Sequence, residues 1–173
     1  MPAKASAPGS AGASASAAKE EVTIRVATTA DLGTIVKHRR HMFRDEMGCD
    51  AATLDAIEQN SSPYIERGLR EGWYRGWLAE VIGVVAAGAG VIVYDWPSGP
   101  LDSTQTKRAY LLNVYTEAAF RRRGLARKLV EAAIEWTRAQ GFSVLWLHAS
   151  SHGRPLYESM GFEQTNEMKL KLR

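Results

Sequence analysis

The chain of 173 residues is 45% hydrophobic and 24% charged, which is the composition of an ordinary globular protein. This length fits one domain with a sizeable core and requires no second domain. The net charge of +3 suits an anionic ligand and equally suits weakly bound nucleic acid, so charge alone does not decide between them. Because no run of about eighteen apolar residues occurs, we expect no membrane span.

The beginning of the chain differs in composition from the rest. Residues 1–19 are mostly Ala, Ser, Gly and Pro, too poor in large apolar side chains to offset the entropy of ordering. We therefore predict a flexible tail at 1–19 and a domain at 20–173. The tail lacks the apolar core of a secretory signal. Cys49 is the single cysteine, so it excludes an internal disulfide and indicates a cytoplasmic protein; we assign it no catalytic role.

The first elements of the domain are predicted to be a strand and a helix. Apolar and polar residues alternate at 22–26, which indicates the strand. The polar segment at 28–31 offers a cap for a helix that runs to Gly48. The basic cluster at 37–41, with both of its histidines, is expected to face solvent.

The middle of the chain is predicted to form interrupted helices and then a hairpin. A second helical stretch is broken at 61–63 by two serines and a proline and ends at Gly72. Strand-like runs at 74–81 and 84–94 flank Gly83 and indicate an antiparallel hairpin.

The stretch from 111 onward passes from a strand through a basic turn into a helix. Period two places Leu111, Asn113 and Tyr115 on one face of this central strand. Asn113 is the odd polar residue there, and a buried amide must be hydrogen-bonded, either to neighbouring backbone or to a ligand. Both alternatives are open at the level of sequence.

The basic turn has the pattern Arg121-x-x-Gly124-x-Ala126. The first turn of a helix has backbone N–H groups without partners and the positive end of the helix dipole, so it attracts anions. Gly124 and Ala126 leave room for a diphosphate, and neighbouring arginines supply charge. A solvated helix start or a general polyanion patch fits the same residues. The triphosphatase loop and the dinucleotide fingerprint are both absent.

Downstream, residues 143–148 alternate as a strand that places Trp146 and His148 on one face. Residues 165–172 alternate as a last strand. Between these two runs, residues 155–162 contain Tyr157 and end in Gly-Phe.

The basic turn resembles the acyl-CoA pyrophosphate loop of the GNAT superfamily of N-acyltransferases, whose pattern is Gln/Arg-x-x-Gly-x-Gly/Ala after a central strand. Residues 155–162 resemble the second signature of that family, a short helix with a tyrosine before Gly-Phe. The two motifs occur in the family's order and spacing and cover roughly residues 108–170.

The resemblance implies an α/β (α+β) fold, with a mixed, mostly antiparallel twisted sheet and helices on both faces. It implies acetyl-CoA as co-substrate and direct transfer to an amine. We expect no metal, because the sequence has no metal-ligand cluster. Tyr157 would be the acid that assists the departing thiolate. His148 would be the base, although a satisfied structural histidine fits its position equally. Ser151 stands near where many relatives carry an asparagine, which puts that contact in doubt. The expected cofactor-binding residues are Val114, Tyr115, Thr116, Arg121, Arg122, Arg123, Gly124, Leu125, Ala126, Arg127 and Ser151.

The acceptor site is the least specified part of the sequence. The resemblance places the broken helices at the acceptor wall, with Glu46, Trp96 and Asn113 as candidate substrate contacts; solvated charge or loop packing are the alternatives for the first two. We expect a small-molecule amine, no nucleic acid and no membrane as partners, and leave a homodimer open. The alternatives are a protein lysine or N-terminal acetyltransferase, a non-catalytic acyl-CoA-binding module, and a nucleic-acid-binding protein.

Overall fold

The computed structural model describes residues 21–172, so the tail predicted at 1–19 lies outside the described residues. The strands are β1 (Val22–Val26), β2 (Tyr74–Val81), β3 (Val84–Asp95), β4 (Lys107–Thr116) and β5 (Leu145–Trp146). The α-helices are α1 (Leu32–Met47), α2 (Ala51–Glu71), α3 (Leu125–Ala139) and α4 (Arg154–Glu158).

The five strands form one sheet in the order β1-β2-β3-β4-β5. The neighbours from β1 to β4 are antiparallel, and β5 joins β4 in parallel. The hairpin predicted around Gly83 is confirmed, with positive φ angles of 50° at Ile82 and 75° at Gly83 that suit a tight two-residue turn. The mixed, mostly antiparallel sheet is therefore as expected.

Helices cover both faces of this sheet. On one face α1 and α2 pack through a core that includes Ile35, Ile65 and Leu78. On the other face α3 packs through Leu125 and Leu129, whose spacing of four residues lies on one side of a helix. Burial of each such side chain contributes about 1.5–3 kcal/mol. No helix within the described residues is long and apolar enough to cross a membrane.

The predicted polar cap forms on a 3-10 turn, Thr29–Asp31, that leads directly into α1, but the exposure predicted for the basic cluster is wrong in part. The Asp31 carboxylate accepts hydrogen bonds from the Thr28 backbone N–H and from the Arg25 guanidinium at the start of the helix. His38, however, is only 2% exposed. It fits because Gly88 has no side chain: a Cβ there would lie 3.0 Å from the His38 Nδ1 atom.

The prediction of broken helices is also wrong, since α2 is continuous with Pro63 inside it. The Ser61 hydroxyl donates to the carbonyl of the residue four positions earlier at 2.6 Å, and Ser62 does the same at 2.8 Å. The buried face of α2, with Leu54 and Ile65, runs on both sides of the proline. Tertiary packing therefore maintains the helix where local propensity predicts a break.

The last two predicted strands are shorter than expected or absent. The strand predicted at 143–148 is reduced to Leu145–Trp146, and residues 165–172 form no strand. Met168, Leu170 and Leu172 are exposed instead. Alternation specifies which side chains share a face, but a strand also needs a backbone partner, and none pairs with this segment among the described residues.

Candidate active site

The sheet divides between β4 and β5. The two strands pair only at Ala109 with Leu145 and at Tyr110 with Trp146, whereas β4 continues to Thr116. Beyond this point the backbone groups on that edge of β4 have no strand partner within residues 21–172. Unpaired strand backbone hydrogen-bonds readily to an extended ligand, so the gap is a candidate binding cleft.

A bulge in β4 lies within the divided region. The register with β3 shifts between Gly88 and Gly90, opposite Asn113, whose φ of 56° is unusual for a residue other than glycine. The prediction that Leu111, Asn113 and Tyr115 share one face is therefore wrong. Leu111 packs into the core under α3, while Asn113 and Tyr115 contact residues of the α1 face, because the extra residue breaks period two.

The Asn113 amide is hydrogen-bonded within the protein. It is 4% exposed; its Oδ1 accepts from Arg39 Nη1 at 2.7 Å, and its Nδ2 donates to the Tyr74 hydroxyl at 3.1 Å. Sequence reasoning missed Arg39 and Tyr74. A signal for Arg39 existed, because it lies four residues after Ile35 and four before Phe43 on the apolar stripe of α1.

The basic turn at the end of β4 has the open geometry that an anion requires. Gly124 is the N-cap of α3, with φ of 77° and no side-chain cap. The first intrahelical bond runs from the Lys128 N–H to the Gly124 carbonyl, so the N–H groups between them have no partner in the helix. Among residues 21–172, no atom outside Gly124 and its two chain neighbours lies within 4 Å of where a Cβ of Gly124 would be. Leu125 contributes only backbone, since its side chain is buried.

The predicted arginines surround this turn. Arg121 donates to the Thr116 carbonyl at 3.1 Å and to Asp45 at 2.7 Å. Arg127 donates to the Ser159 hydroxyl at 2.6 Å, and Arg123 to the backbone of the turn. These bonds hold positive charge around the uncapped helix start. The remaining predicted cofactor contacts lie in β4 (Val114 and Tyr115), in the turn (Arg122), at the start of α3 (Ala126) and in the loop before α4 (Ser151).

Tyr157 lies in α4 with its ring 5.6 Å from the ring of Phe162. Its hydroxyl makes no hydrogen bond within residues 21–172. Burial, and then the charge of Glu46, raise the pKa of Tyr157 to about 12, so the phenol stays protonated near neutral pH and can donate a proton. Glu46, predicted as a substrate contact, also lies 3.2 Å from His152.

His148 lies beyond β5, with its side chain 77% exposed. Its Nδ1 is hydrogen-bonded to the Tyr110 hydroxyl, and its Nε2 lies 4.0 Å from Glu167. Trp146 contacts Arg108 and His148 contacts Tyr110, and these two residues of β4 are two positions apart. Trp146 and His148 therefore share one face of the sheet, as predicted. An exposed imidazole at this edge is accessible to a substrate.

Trp96 is separate from the turn. Its ring lies 4.7 Å from the Arg108 guanidinium, which also stacks on Trp146 at 3.7 Å. These residues line a cavity of about 220 Å³ at the start of β4, whereas the basic turn follows its end. Among the described residues, no group of three or more His, Cys, Asp or Glu is placed to hold a metal ion.

Together, the divided sheet and the uncapped basic helix start form a site suited to an extended ligand with phosphate at one end. Residues 39–162 match the acetyltransferase (GNAT) family, and the chain belongs to that family. The family resemblance of the two sequence motifs is thereby confirmed.

Two curated relatives are acetyltransferases by name. N-acetyltransferase 8 of Homo sapiens is 30% identical over 94 residues, which are 53% of this chain and 39% of that protein. The [ribosomal protein bS18]-alanine N-acetyltransferase of Haemophilus ducreyi is 38% identical over 64 residues, 35% of this chain and 44% of that protein. The matched part of the chain thus spans less than half the length of each.

Two solved structures share the fold over nearly their whole length. A GCN5-related N-acetyltransferase from Ralstonia eutropha is 35% identical and superimposes with a TM-score of 0.83. The match covers 88% of this chain and 99% of that chain. A predicted acetyltransferase from Clostridium acetobutylicum, solved with acetyl-CoA, is 26% identical with a TM-score of 0.80 and covers 88% and 97%. The expected fold class is therefore confirmed.

Proposed function

We propose that this protein transfers the acetyl group of acetyl-CoA to the primary amine of a small molecule, by direct attack of the amine on the thioester. The observation that carries the proposal is the uncapped start of α3, with Gly124 at φ 77°, after a strand whose edge toward β5 has no strand partner beyond Tyr110 within residues 21–172. The first feature suits the diphosphate of CoA and the second suits its extended arm. Family membership and the acetyl-CoA bound in one of the solved relatives support the same ligand.

The chain's own groups would hold and polarise the thioester. The N–H groups of Leu125, Ala126 and Arg127 would donate to the diphosphate, with the nearby guanidiniums balancing its charge. Backbone N–H groups on the free edge of β4 beyond Tyr110 would donate to the thioester carbonyl as its oxygen gains charge. The cleft thereby fixes the acyl carbon where an amine can approach.

In the transfer, the amine nitrogen bonds to the acyl carbon and the carbon–sulfur bond breaks. The Tyr157 hydroxyl, which its raised pKa keeps protonated near neutral pH, would give its proton to the departing sulfur. The amine must also lose a proton, and His148, whose imidazole lies exposed beyond β5, would accept it directly or through water. Finally Tyr157 takes a proton from solvent and His148 releases one to solvent, so the products are the amide and CoA thiol and both side chains return to their starting states.

A second candidate is acetylation of a protein N-terminus. The relative from Haemophilus ducreyi, which is 38% identical over 64 residues, is named for modifying an alanine of a ribosomal protein. A peptide acceptor needs an open path to the cleft, and the exposed His148 side of β5 provides one.

Release of free thiol from acetyl-CoA, measured against matched panels of small amines and N-terminal peptides, tests the proposal. Turnover with small amines supports it, and turnover with peptides alone favours the second candidate. CoA binding by calorimetry without any turnover indicates a non-catalytic module. Nucleic acid retained at moderate salt and not displaced by CoA contradicts all three.

A further inference from the structure

Arg39, on the inner face of α1, is a cation without an acidic partner in the part of the chain that the structure describes. Its guanidinium lies 4.7 Å from the centre of the Phe43 ring, and Nη1 donates to the Asn113 side chain. Its Nε is buried and makes no hydrogen bond to any residue that the structure describes. Within residues 21–172 no carboxylate lies within 4.0 Å of it. Other arginines of this chain do have a carboxylate within that distance, namely Arg25, Arg40, Arg44, Arg108 and Arg121.

This unpaired charge is costly for the folded protein. A buried guanidinium loses hydration, and only a carboxylate or a full set of acceptors offsets that loss. The groups around Arg39 are uncharged, because Asn113 is neutral and burial raises the pKa of Tyr74 to about 12. The contacts within the protein therefore leave one net positive charge in this cluster, and a stabilising role alone does not account for it.

The position of Arg39 relates the charge to the cleft. Only the Asn113 side chain separates its guanidinium from the bulge in β4. That bulge lies three residues beyond Tyr110, where β4 and β5 cease to pair. Arg39 itself is part-exposed, and its Nη2 makes no hydrogen bond within the described residues. Nη2 and the second N–H of Nη1 are therefore the donors that Arg39 would offer to an anion entering the cleft from the α1 side.

We propose that Arg39 binds a carboxylate of the acceptor, so that the amine substrate carries a carboxylate close to its amino group, as a free amino acid does. This inference rests on the proposed acetyl transfer. A guanidinium presents two parallel N–H donors that match the two oxygens of a carboxylate. The guanidinium is separated from the bulge of β4 by one side chain, and the proposed thioester lies along the same part of β4. A substrate that reaches both must therefore have its carboxylate only a few bonds from its amine. A lysine side chain on a protein surface does not carry a carboxylate at such a fixed short distance.

The test compares each amino acid with its primary amide, which keeps the amine and the side chain but removes the charge. We expect kcat/KM for the acid to exceed that for the amide by about tenfold or more in the parent protein. Arg39→Met should abolish this preference while turnover of the amide persists. Arg39→Lys should restore part of it, because the charge returns without the paired donors.

Arg40→Met is the matched control, since it removes the adjacent cation of α1, which pairs with Asp55 and Glu58. This variant should keep the preference for the acid. Thermal unfolding and CoA binding establish that each variant folds. If Arg39→Met does not fold, the comparison of acid and amide in the parent protein and in Arg39→Lys still decides.

The outcomes separate this inference from the proposed function. Equal turnover of acids and amides by the parent protein overturns the role of Arg39 and leaves acetyl transfer in place. If no amine is acetylated, the proposed acetyl transfer is wrong. Calorimetry with the CoA-saturated protein then tests the role of Arg39 separately. Binding of an amino acid but not its amide, lost in Arg39→Met, supports the carboxylate site; binding of neither contradicts it.

Discussion

The Asp45 carboxylate lies 2.7 Å from the Arg121 guanidinium and 3.1 Å from the Tyr115 hydroxyl. The end of α1 is thereby tied both to β4 and to the turn before α3. Desolvation raises the pKa of Asp45, but hydrogen bonds from Arg121, Arg44 and Tyr115 outweigh it and hold this pKa below its ordinary value. Asp45 is therefore negatively charged at neutral pH, and its charge would repel a diphosphate bound at this turn.

Asp45→Asn should strengthen CoA binding. The amide keeps an oxygen that can accept from Tyr115 while removing a negative charge next to the proposed diphosphate site. The repulsion relieved is about 1 kcal/mol at low salt, or roughly fivefold in the dissociation constant. Calorimetry measures this change, and Asp55→Asn on α2 is the control that should leave affinity unchanged. Weaker CoA binding in Asp45→Asn would show that Asp45 positions Arg121 rather than competing for it.

Gly124→Ala should weaken CoA binding and also destabilise the fold. A Cβ at φ 77° costs about 1–2 kcal/mol, and it would enter the open space that the proposed diphosphate needs. Gly141→Ala is a matched control, because Gly141 has φ of 82° at the other end of α3. Denaturant unfolding should show similar losses of stability in both variants, whereas calorimetry should show weaker CoA binding only in Gly124→Ala. Equal CoA affinity in the two variants contradicts the proposed cradle.

The fold features that follow from local pattern were predictable from the sequence. The spacing of Leu125 and Leu129 indicates α3, and the polar segment at 28–31 indicates the start of α1. Features that depend on a partner element were not predictable. The bulge at Asn113 exists only against Gly88 and Gly90 of β3, and it alone changes which side chains share a face. A period-two pattern contains no sign of it.

The same limit applies within the candidate site. The motif at 121–126 specifies a turn, so the sequence identifies it directly, whereas the Arg39–Asn113 bond joins residues 74 positions apart. Charge suggested that the cluster at 37–41 faces water. The position of Arg39 between Ile35 and Phe43 on one helix face indicates the opposite, and the structure follows that spacing.

Tyr157→Phe should lower kcat by about 100-fold and leave CoA affinity nearly intact, because it removes only the proton donor. With the pKa of Tyr157 raised to about 12, the parent protein should show no fall in kcat from ionisation of this phenol until the pH approaches that value. Thiol release under saturating substrates measures the change. Tyr64→Phe is the control that should keep full activity, because Tyr64 is an exposed residue of α2. Unchanged kcat in Tyr157→Phe excludes Tyr157 as the acid.

His38 should make the protein less stable as the pH falls from 6.5 to 4. Burial lowers the pKa of His38 from 6.5 to about 4, an effect that the nearby Glu117 partly opposes and that Lys37 and His41 reinforce. Between these values the unfolded chain binds a proton that the folded chain does not, so acid favours unfolding, while above pH 6.5 the effect vanishes. The full loss is roughly 3 kcal/mol.

Urea unfolding of His38→Gln and of the parent protein, at neutral pH and near pH 4, measures this contribution. The variant should be less stable at neutral pH because it disturbs the packing beside Tyr115, yet it should lose less stability than the parent protein on acidification. His152→Gln is the control, since the His152 side chain is 80% exposed, and its pH dependence should match that of the parent. Parallel stability curves for the parent and His38→Gln would mean that His38 is protonated in the folded state.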